Sequence, residues 1–473
     1  MNSLFNQFHK KSFHKAFLFL LSAFVFVSFV INYWAIQINP DSVYYIGVSR
    51  LISEGKVPFI DFQLSYTPLS FYLISIPLSL LGPTYTNALI IVYVLNFINS
   101  FLVYKILRLQ NCTTLWSWYG SLLFLLCCLL FQGNVYILEP FVLLFGLVAL
   151  CFLHNGTIFF LILIGISCSL SFLCKQYGMG FLVLVIIFLI IKDNYSFRSV
   201  KKILLVLSGF FIGLVAFVIF MKLQGVEFVN MTSELSGSDY HREGFKGFQI
   251  AYFYLFTRLS PLLIALFFAL KYLKKVVKDH FWVISVVGTF GFMLACYVRF
   301  YSHYLLLVSP FVVFLIVYTI NQIENRKIRK IFSFYVILST FIPICLVLFS
   351  TINTFGGKRR QLQVQTSVKI ANVIPEGQEN VFVSFSVLYT SLLNNYTPPL
   401  IKKYGLSSGF VTTKKGIKEM LSDAEFSIIS EKELNGNSPI NSPLVKEFLE
   451  DNFNLEVVVP NDATGDILLY KRK

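Results

Sequence analysis

The chain has 473 residues, of which 56% are hydrophobic and only 13% charged, and 52 are phenylalanine. A water-soluble domain has no interior large enough to hide so much apolar surface. The net charge of +15 does not mark a nucleic-acid binder, because the first 351 residues carry 25 Lys/Arg against 11 Asp/Glu while the remainder carries 14 against 13.

The first hydrophobic run, "AFLFLLSAFVFVSFVINYWAI", matches the roughly twenty residues needed to cross a bilayer. It is too long and aromatic for a signal peptide, and no small-residue cleavage site follows it. Further runs at about 84–107, 113–132, 135–153, 157–174, 177–192, 203–222, 248–270, 281–298, 302–320 and 331–351 predict about eleven membrane helices in a mostly α-helical chain. Between them stand the basic clusters "HKKSFHK", "KILR", "KDNYSFRSVKK", "KYLKKVVKDH" and "ENRKIRK". Clusters of this kind hold loops in the cytoplasm, and strict alternation from a cytoplasmic N-terminus places every one of them there. Three stretches then face outward: 37–83, 223–247 and everything after 351.

After the first run, "NPDSVYYIGVSRLISEGKVPFIDF" brings Asp41, Arg50, Glu54, Lys56 and Asp61 together. Asp41 is placed to cap a short helix that Gly55 closes. A second, apolar helix runs from near Pro68 to Gly82, with Leu69, Tyr72, Leu73, Ile76 and Leu80 on one face. Pro77 and the short length disfavour a span, so both helices are expected to lie along the outer membrane surface.

From about 352 the composition changes. "NVFVSFS", "FSIIS", "LEVVV" and "DILLYKR" read as strands, and "TKKGIKEML" and "SPLVKEFLEDNF" as amphipathic helices. The expected organisation is a transmembrane domain over 1–351 and a small extracytoplasmic, soluble α/β domain over 352–473, to which no catalysis is assigned. All eight cysteines lie in or beside hydrophobic runs, so no disulfide framework is expected. Sequons occur at Asn230 and Asn395, a pattern short enough to arise by chance.

Eleven carboxylates precede residue 352, and none sits in the middle of a run. Proton-coupled transporters place ionisable groups inside the membrane, so a transporter or flippase is disfavoured. Asp193, Asp279 and Glu324 fall on the cytoplasmic side. Asp41, Glu54, Asp61, Glu139, Glu227, Glu234, Asp239 and Glu243 fall outside, and any chemistry is expected at that surface.

Asp after the first run, then "YYIGVSRLISEGKVPFIDF" and "YTPLSFYLISIPLSLLG", resembles the GT-C glycosyltransferases. The pattern is most similar to the bacterial branch related to protein O-mannosyltransferases and lipid A aminoarabinose transferases. "NVYILEPFVLLFGLVAL", "FLCKQYG", "RFYSHYLLLVSPFVVFL" and "NFNLEVVVPNDATGDILLYKRK" extend the likeness over nearly the whole chain. The resemblance implies a multi-pass enzyme of the bacterial inner membrane. It would transfer a sugar from a polyprenyl-phosphate donor to a hydroxyl of a glycan, lipid or protein on the non-cytoplasmic face. No cofactor is implied with certainty, and a divalent metal is left open.

The resemblance maps the base onto Asp41, whose bland reading is a helix cap, and sets Asp61 beside it. Glu139, which has no evident partner in the sequence, is given a sugar-binding or helix-orienting role. Close relatives carry Arg and Lys where this chain has Tyr44 and Thr67, so the cations that meet the leaving phosphate must come from elsewhere. Candidates are Arg50, Lys56, Lys175, Arg242, Lys246, Arg299 and His303, with Tyr44 also in the substrate site. Against these stand snorkelling of Lys175 and Arg299 to headgroups and a purely structural His303. A polymerase or ligase of lipid-linked glycans is the alternative enzyme.

Overall fold

A computed structural model describes residues 2–35, 38–62, 64, 66–194, 196–231, 245–271, 279–294, 301–355, 358–374, 381–384, 417, 421–422, 424–435, 440–460 and 466–473. Helices dominate. In chain order they are α1 (Asn2–Ala35), α2 (Pro40–Ser53), α3 (Leu69–Leu81), α4 (Tyr85–Leu109), α5 (Thr114–Leu130), α6 (Glu139–Phe152), α7 (Ile158–Cys174), α8 (Met179–Lys192), α9 (Phe197–Leu223), α10 (Phe245–Arg258), α11 (Ser260–Lys271), α12 (His280–Met293), α13 (Leu305–Gln322), α14 (Arg326–Ser339), α15 (Phe341–Phe355) and α16 (Lys358–Ala371).

Among the described residues a helix lies within each of the predicted hydrophobic runs, but they are not eleven equal spans. Among the described residues five helical stretches are long and apolar enough to cross a membrane: His14–Ala35, Tyr85–Leu109, Phe197–Leu223, Ser302–Gln322 and Arg326–Asn353. The expected span at 248–270 is instead two helices, α10 and α11, that meet at 90° at Leu259. Pro261 accounts for the break: it offers no N–H, and its ring would collide with the Thr257 carbonyl of a continuous helix. Arg258 fixes the corner by donating to the Leu130 carbonyl (2.8 Å) while its guanidinium stacks on Tyr254.

The chain packs as two compact units. One comprises Met1–Trp34, Val92–Ala216 and His241–Asn353; the other comprises Ala35–Ile91, Phe217–Tyr240 and Thr354–Lys473. The second holds most of each of the three stretches, 37–83, 223–247 and the residues after 351, that the charge pattern groups together.

In the first unit, the apolar window of Ser302–Gln322 is wholly buried, whereas only 28% of that in Phe197–Leu223 is. The former is a central helix and the latter a peripheral one with a lipid-facing surface that includes Phe211, Ile212 and Val215. Helices α7 and α9 touch backbone to backbone. A methyl group on Gly165 would run into the Val206 carbonyl oxygen, and one on Gly209 into that of Ile162. Lipid tails offer no hydrophobic drive for helix pairing, so close approach at small residues supplies the contact.

In the second unit, α2 and α3 pack together. Asn39 caps α2, with its side chain accepting the Asp41 N–H at 2.8 Å and Pro40 in the first turn. The expectation that Asp41 is the cap is therefore corrected. Proline is favoured at the first helical position, so the residue before it becomes the cap. The predicted limits of α3 hold, from N-cap Pro68 to Gly82 at φ 90°. Its buried side is Ser70, Phe71, Ile74, Ser75 and Leu78, and the predicted stripe of Leu69, Tyr72, Leu73, Ile76 and Leu80 forms the opposite, less buried face.

The C-terminal strands are β1 (Val381–Val383), β2 (Phe426–Ser430), β3 (Phe453–Val459) and β4 (Ile467–Arg472), in the order β1-β2-β4-β3. Strand β2 pairs parallel with β1 and antiparallel with β4. The helix at Pro443–Asn452 starts at a Ser442 cap, as its polar start suggests. Most of "TKKGIKEML" lies outside the described residues.

The α7–α9 contact yields a direct test. Gly209→Leu pushes a side chain against main chain, which cannot move aside, and is expected to destabilise the detergent-solubilised protein by about 1–3 kcal/mol. Gly156→Ala, where a methyl group meets nothing within 4 Å, should leave the thermal unfolding midpoint unchanged. Equal midpoints for both variants would refute the close crossing.

Candidate active site

Three turns of the first unit meet around one buried carboxylate. The turn after α5 carries Gln132 at φ 61°, followed by Gly133. Asn96 donates to the Gly133 carbonyl (2.6 Å), and Asn134 donates to Asn32 of α1 (3.0 Å). Asn99 donates to the Pro140 carbonyl at 2.9 Å and so fixes the start of α6. The Asn96 and Asn99 amides supply partners for main-chain carbonyls that have no water to turn to. Glu139 is the first residue of α6, fully buried, where the positive end of the helix dipole favours an anion.

The second turn follows α7. Ser171 ties that helix to α6 by donating to the Val142 carbonyl at 2.8 Å. Lys175 then leaves the helix in an extended conformation (φ −165°, ψ 142°) before the short turn Gln176–Gly178. This sends the Lys175 ammonium to Glu139 Oε1, 2.6 Å away, with 3% and 1% of the two side chains exposed. The ammonium also lies 4.9 Å from the ring centre of Tyr304 and 5.7 Å from that of Tyr177, within cation–π range.

The third turn, Ser302–Tyr304, opens α13. His303 is buried there, with Nε2 3.8 Å from Glu139 Oε1, too long for a hydrogen bond. Its Nδ1 lies 3.3 Å from the side-chain oxygen of Gln132. Tyr301 stacks on the imidazole at 5.2 Å. Glu139 Oε2 is buried and has no hydrogen-bond partner among the described residues.

Glu139 therefore does have a partner, contrary to expectation, and the snorkelling alternative for Lys175 fails because its side chain is enclosed. Two of the proposed cations, Lys175 and His303, converge on this carboxylate. Gln132, Tyr177 and Tyr304 join them without having been singled out, although "CKQYG" and "RFYSHY" contain both tyrosines. A buried pair in such surroundings is costly to form and more costly to break, since removing one member strands the other's charge.

The remaining candidates are elsewhere. Asp41, half-buried in the first turn of α2, belongs to the second unit. In that unit Tyr44 is fully buried edge-on to Tyr45. Arg50 pairs with Glu54 at 2.7 Å on a partly exposed face, an arrangement worth at most about 1 kcal/mol. Exposed Asp61 accepts the Val57 N–H at 2.7 Å and closes a turn in which Phe59 has φ 68°. Lys56 is exposed beside this turn, and Lys246 is exposed in the first turn of α10. Arg242 and Arg299 lie outside the described residues. Among the described residues no three His, Cys, Asp or Glu side chains form a group able to hold a metal ion.

No protein-family model and no curated protein sequence matches the chain. Solved structures do. ArnT, the lipid A aminoarabinose transferase of Cupriavidus metallidurans, in a crystal structure bound to undecaprenyl phosphate, superposes with a TM-score of 0.66 at 12% identity, covering 97% of this chain and 98% of that one. The archaeal oligosaccharyltransferase AglB from Archaeoglobus fulgidus, in complex with an inhibitory peptide and a dolichol-phosphate, gives 0.55 at 11% identity, over 97% of this chain and 74% of that one. Across nearly its whole length the chain has the fold of the GT-C glycosyltransferases.

Proposed function

We propose that this protein is a membrane glycosyltransferase that moves a sugar from a polyprenyl-phosphate donor to a hydroxyl of a glycan, lipid or protein. The observation that carries the reading is the buried Lys175–Glu139 pair, with His303 beside it, where three turns of a GT-C fold meet. Support also comes from the lipid phosphates bound in the ArnT and AglB structures. The charge pattern of the loops supports a non-cytoplasmic position for this end of the bundle.

In the reaction the acceptor oxygen bonds to the anomeric carbon, and the bond from that carbon to the lipid phosphate breaks. The bonding pair leaves with the phosphate, whose charge rises from one negative to two. A cation held in advance stabilises this charge most effectively, because nothing has to reorganise as it develops. Lys175 has that role. Glu139 holds its ammonium in place, and the tyrosine rings around it exclude water. His303, fixed by Gln132, supplies a second nitrogen next to the carboxylate. The acceptor proton goes to Asp41, in the first turn of α2. Tyr44, Asp61, Arg50, Lys56, Lys246, Arg242 and Arg299 are secondary candidates for substrate contacts.

Two sets of variants test this reading with radiolabelled undecaprenyl-phosphate-linked mannose, glucose, galactose and aminoarabinose as donors. Lys175→Met should reduce transfer by at least about a hundredfold. It should also destabilise the protein by about 3–5 kcal/mol, because Glu139 is left charged and alone. Adding Glu139→Gln removes the stranded charge and should restore stability without restoring transfer. Recovery of both together would make the pair purely structural.

Asp41→Asn keeps the size of the side chain but accepts no proton from the acceptor. Membrane insertion and unfolding temperature are expected to be normal, with transfer lowered by about a hundredfold or more. Transfer at the unmodified rate would remove Asp41 from the mechanism.

A further inference from the structure

Helix α16 belongs to the same compact unit as the segment that carries Asp41. Its Gln363 is buried, with 6% of its surface exposed, and spends both ends of its amide on a single residue. Gln363 Nε2 donates to the Ile38 carbonyl at 3.2 Å, and the Ile38 N–H donates to Gln363 Oε1 at 3.1 Å. One side chain thereby replaces the paired main-chain partner that a neighbouring β-strand would provide. Ile38 itself is 1% exposed, so neither of its main-chain groups has ready access to water.

Ile38 stands three residues before Asp41, and the intervening chain has little freedom. Pro40 fixes its own φ, and Asn39 closes its side chain onto the Asp41 N–H. The hydroxyl of Tyr85 meets the Asn39 main chain and the side chain of Ser42, with the Arg360 charge of α16 nearby. Gln363 therefore sets the point from which a short, stiff segment runs to the carboxylate.

We propose that Gln363 is a positioning residue for transfer: it fixes the main chain that presents Asp41, and through it the C-terminal region takes part in the reaction. The proposal rests on the reading of Asp41 as the base. A general base must stay within hydrogen-bond reach of the proton it removes, and displacement by about 1 Å costs on the order of a hundredfold in rate. A side chain at 363 that bonds neither group of Ile38 leaves two buried polar groups without partners, and the segment must shift to satisfy them.

Gln363→Leu, of similar size, makes neither bond, whereas Gln363→Glu keeps only the acceptor for the Ile38 N–H. In purified full-length protein, amide hydrogen exchange over residues 38–44 should quicken at least about tenfold in Gln363→Leu. With the undecaprenyl-phosphate sugar that supports turnover, kcat should fall about 10–100-fold and the donor KM should change by less than about twofold. Gln363→Glu should fall between this variant and the unmodified protein. In an Asp41→Asn background the same leucine substitution should cost less than about twofold, because two residues acting through one step are not additive. Unchanged exchange, an unchanged kcat, or a full loss repeated in the Asp41→Asn background would each overturn the proposal. Should Gln363→Leu fail to insert, Gln363→Glu carries the same readings. Normal turnover by Asp41→Asn alone sinks the base assignment; loss there with full activity in Gln363→Leu sinks only the role of Gln363.

Discussion

A charge inside a membrane protein needs a partner held close, because neither lipid nor packed side chains can replace water. Glu139 and Lys175 meet this requirement at 2.6 Å, almost fully enclosed. The surrounding contacts serve that closeness. Asn99 fixes the start of α6, Ser171 locks α7 against it, and the extended backbone at Lys175 aims the ammonium back at the carboxylate. The pair sits where helices stop and turns begin, which is where an integral enzyme can offer a fixed cation to a lipid-borne phosphate.

The interior of the helical unit is organised by small and polar residues as much as by large apolar ones. Ser117, Ser121, Ser167, Ser169, Ser285 and Ser309 are all buried, while Phe19, Phe26, Phe211 and Phe253 are exposed. This inverts the rule for soluble domains, since lipid solvates the large apolar side chains and close helix contact rewards the small ones. Hydrogen bonds from the serine hydroxyls to carbonyls tie helices internally, as Ser285 to Phe281, and to each other, as Ser171 to Val142.

That inversion explains how much the sequence disclosed. Among the described residues the hydrophobic runs located the long apolar helices, and the strands FSIIS, LEVVV and DILLYKR were legible from their β-rich composition. Periodicity grouped Leu69, Tyr72, Leu73, Ile76 and Leu80 on one face of α3, and all five lie on its less buried side, while Ser70 and Ser75 mark the inner side. The bend at Leu259 was signalled by Pro261, and the Asn39 cap by Pro40, yet run length and an acidic side chain were given more weight. In the site, Glu139, Lys175 and His303 were each visible as polar residues at the ends of hydrophobic runs. Their meeting was not, because it depends on packing between turns 36 and more residues apart in the chain. Gln132 and Gln363 were missed for a related reason: an uncharged amide gains its significance only from the main-chain or ring atom it faces.

The central claim is that the Lys175 end of the helical unit receives the phosphate of a polyprenyl carrier. An experimental structure of the full-length protein in lipid nanodiscs with undecaprenyl phosphate would test it most directly. The account predicts phosphate density within hydrogen-bond distance of Lys175 Nζ, with Glu139 still holding the ammonium. Ordered phosphate density remote from Lys175, with the Lys175–Glu139 pair closed off behind intact turns, would contradict it.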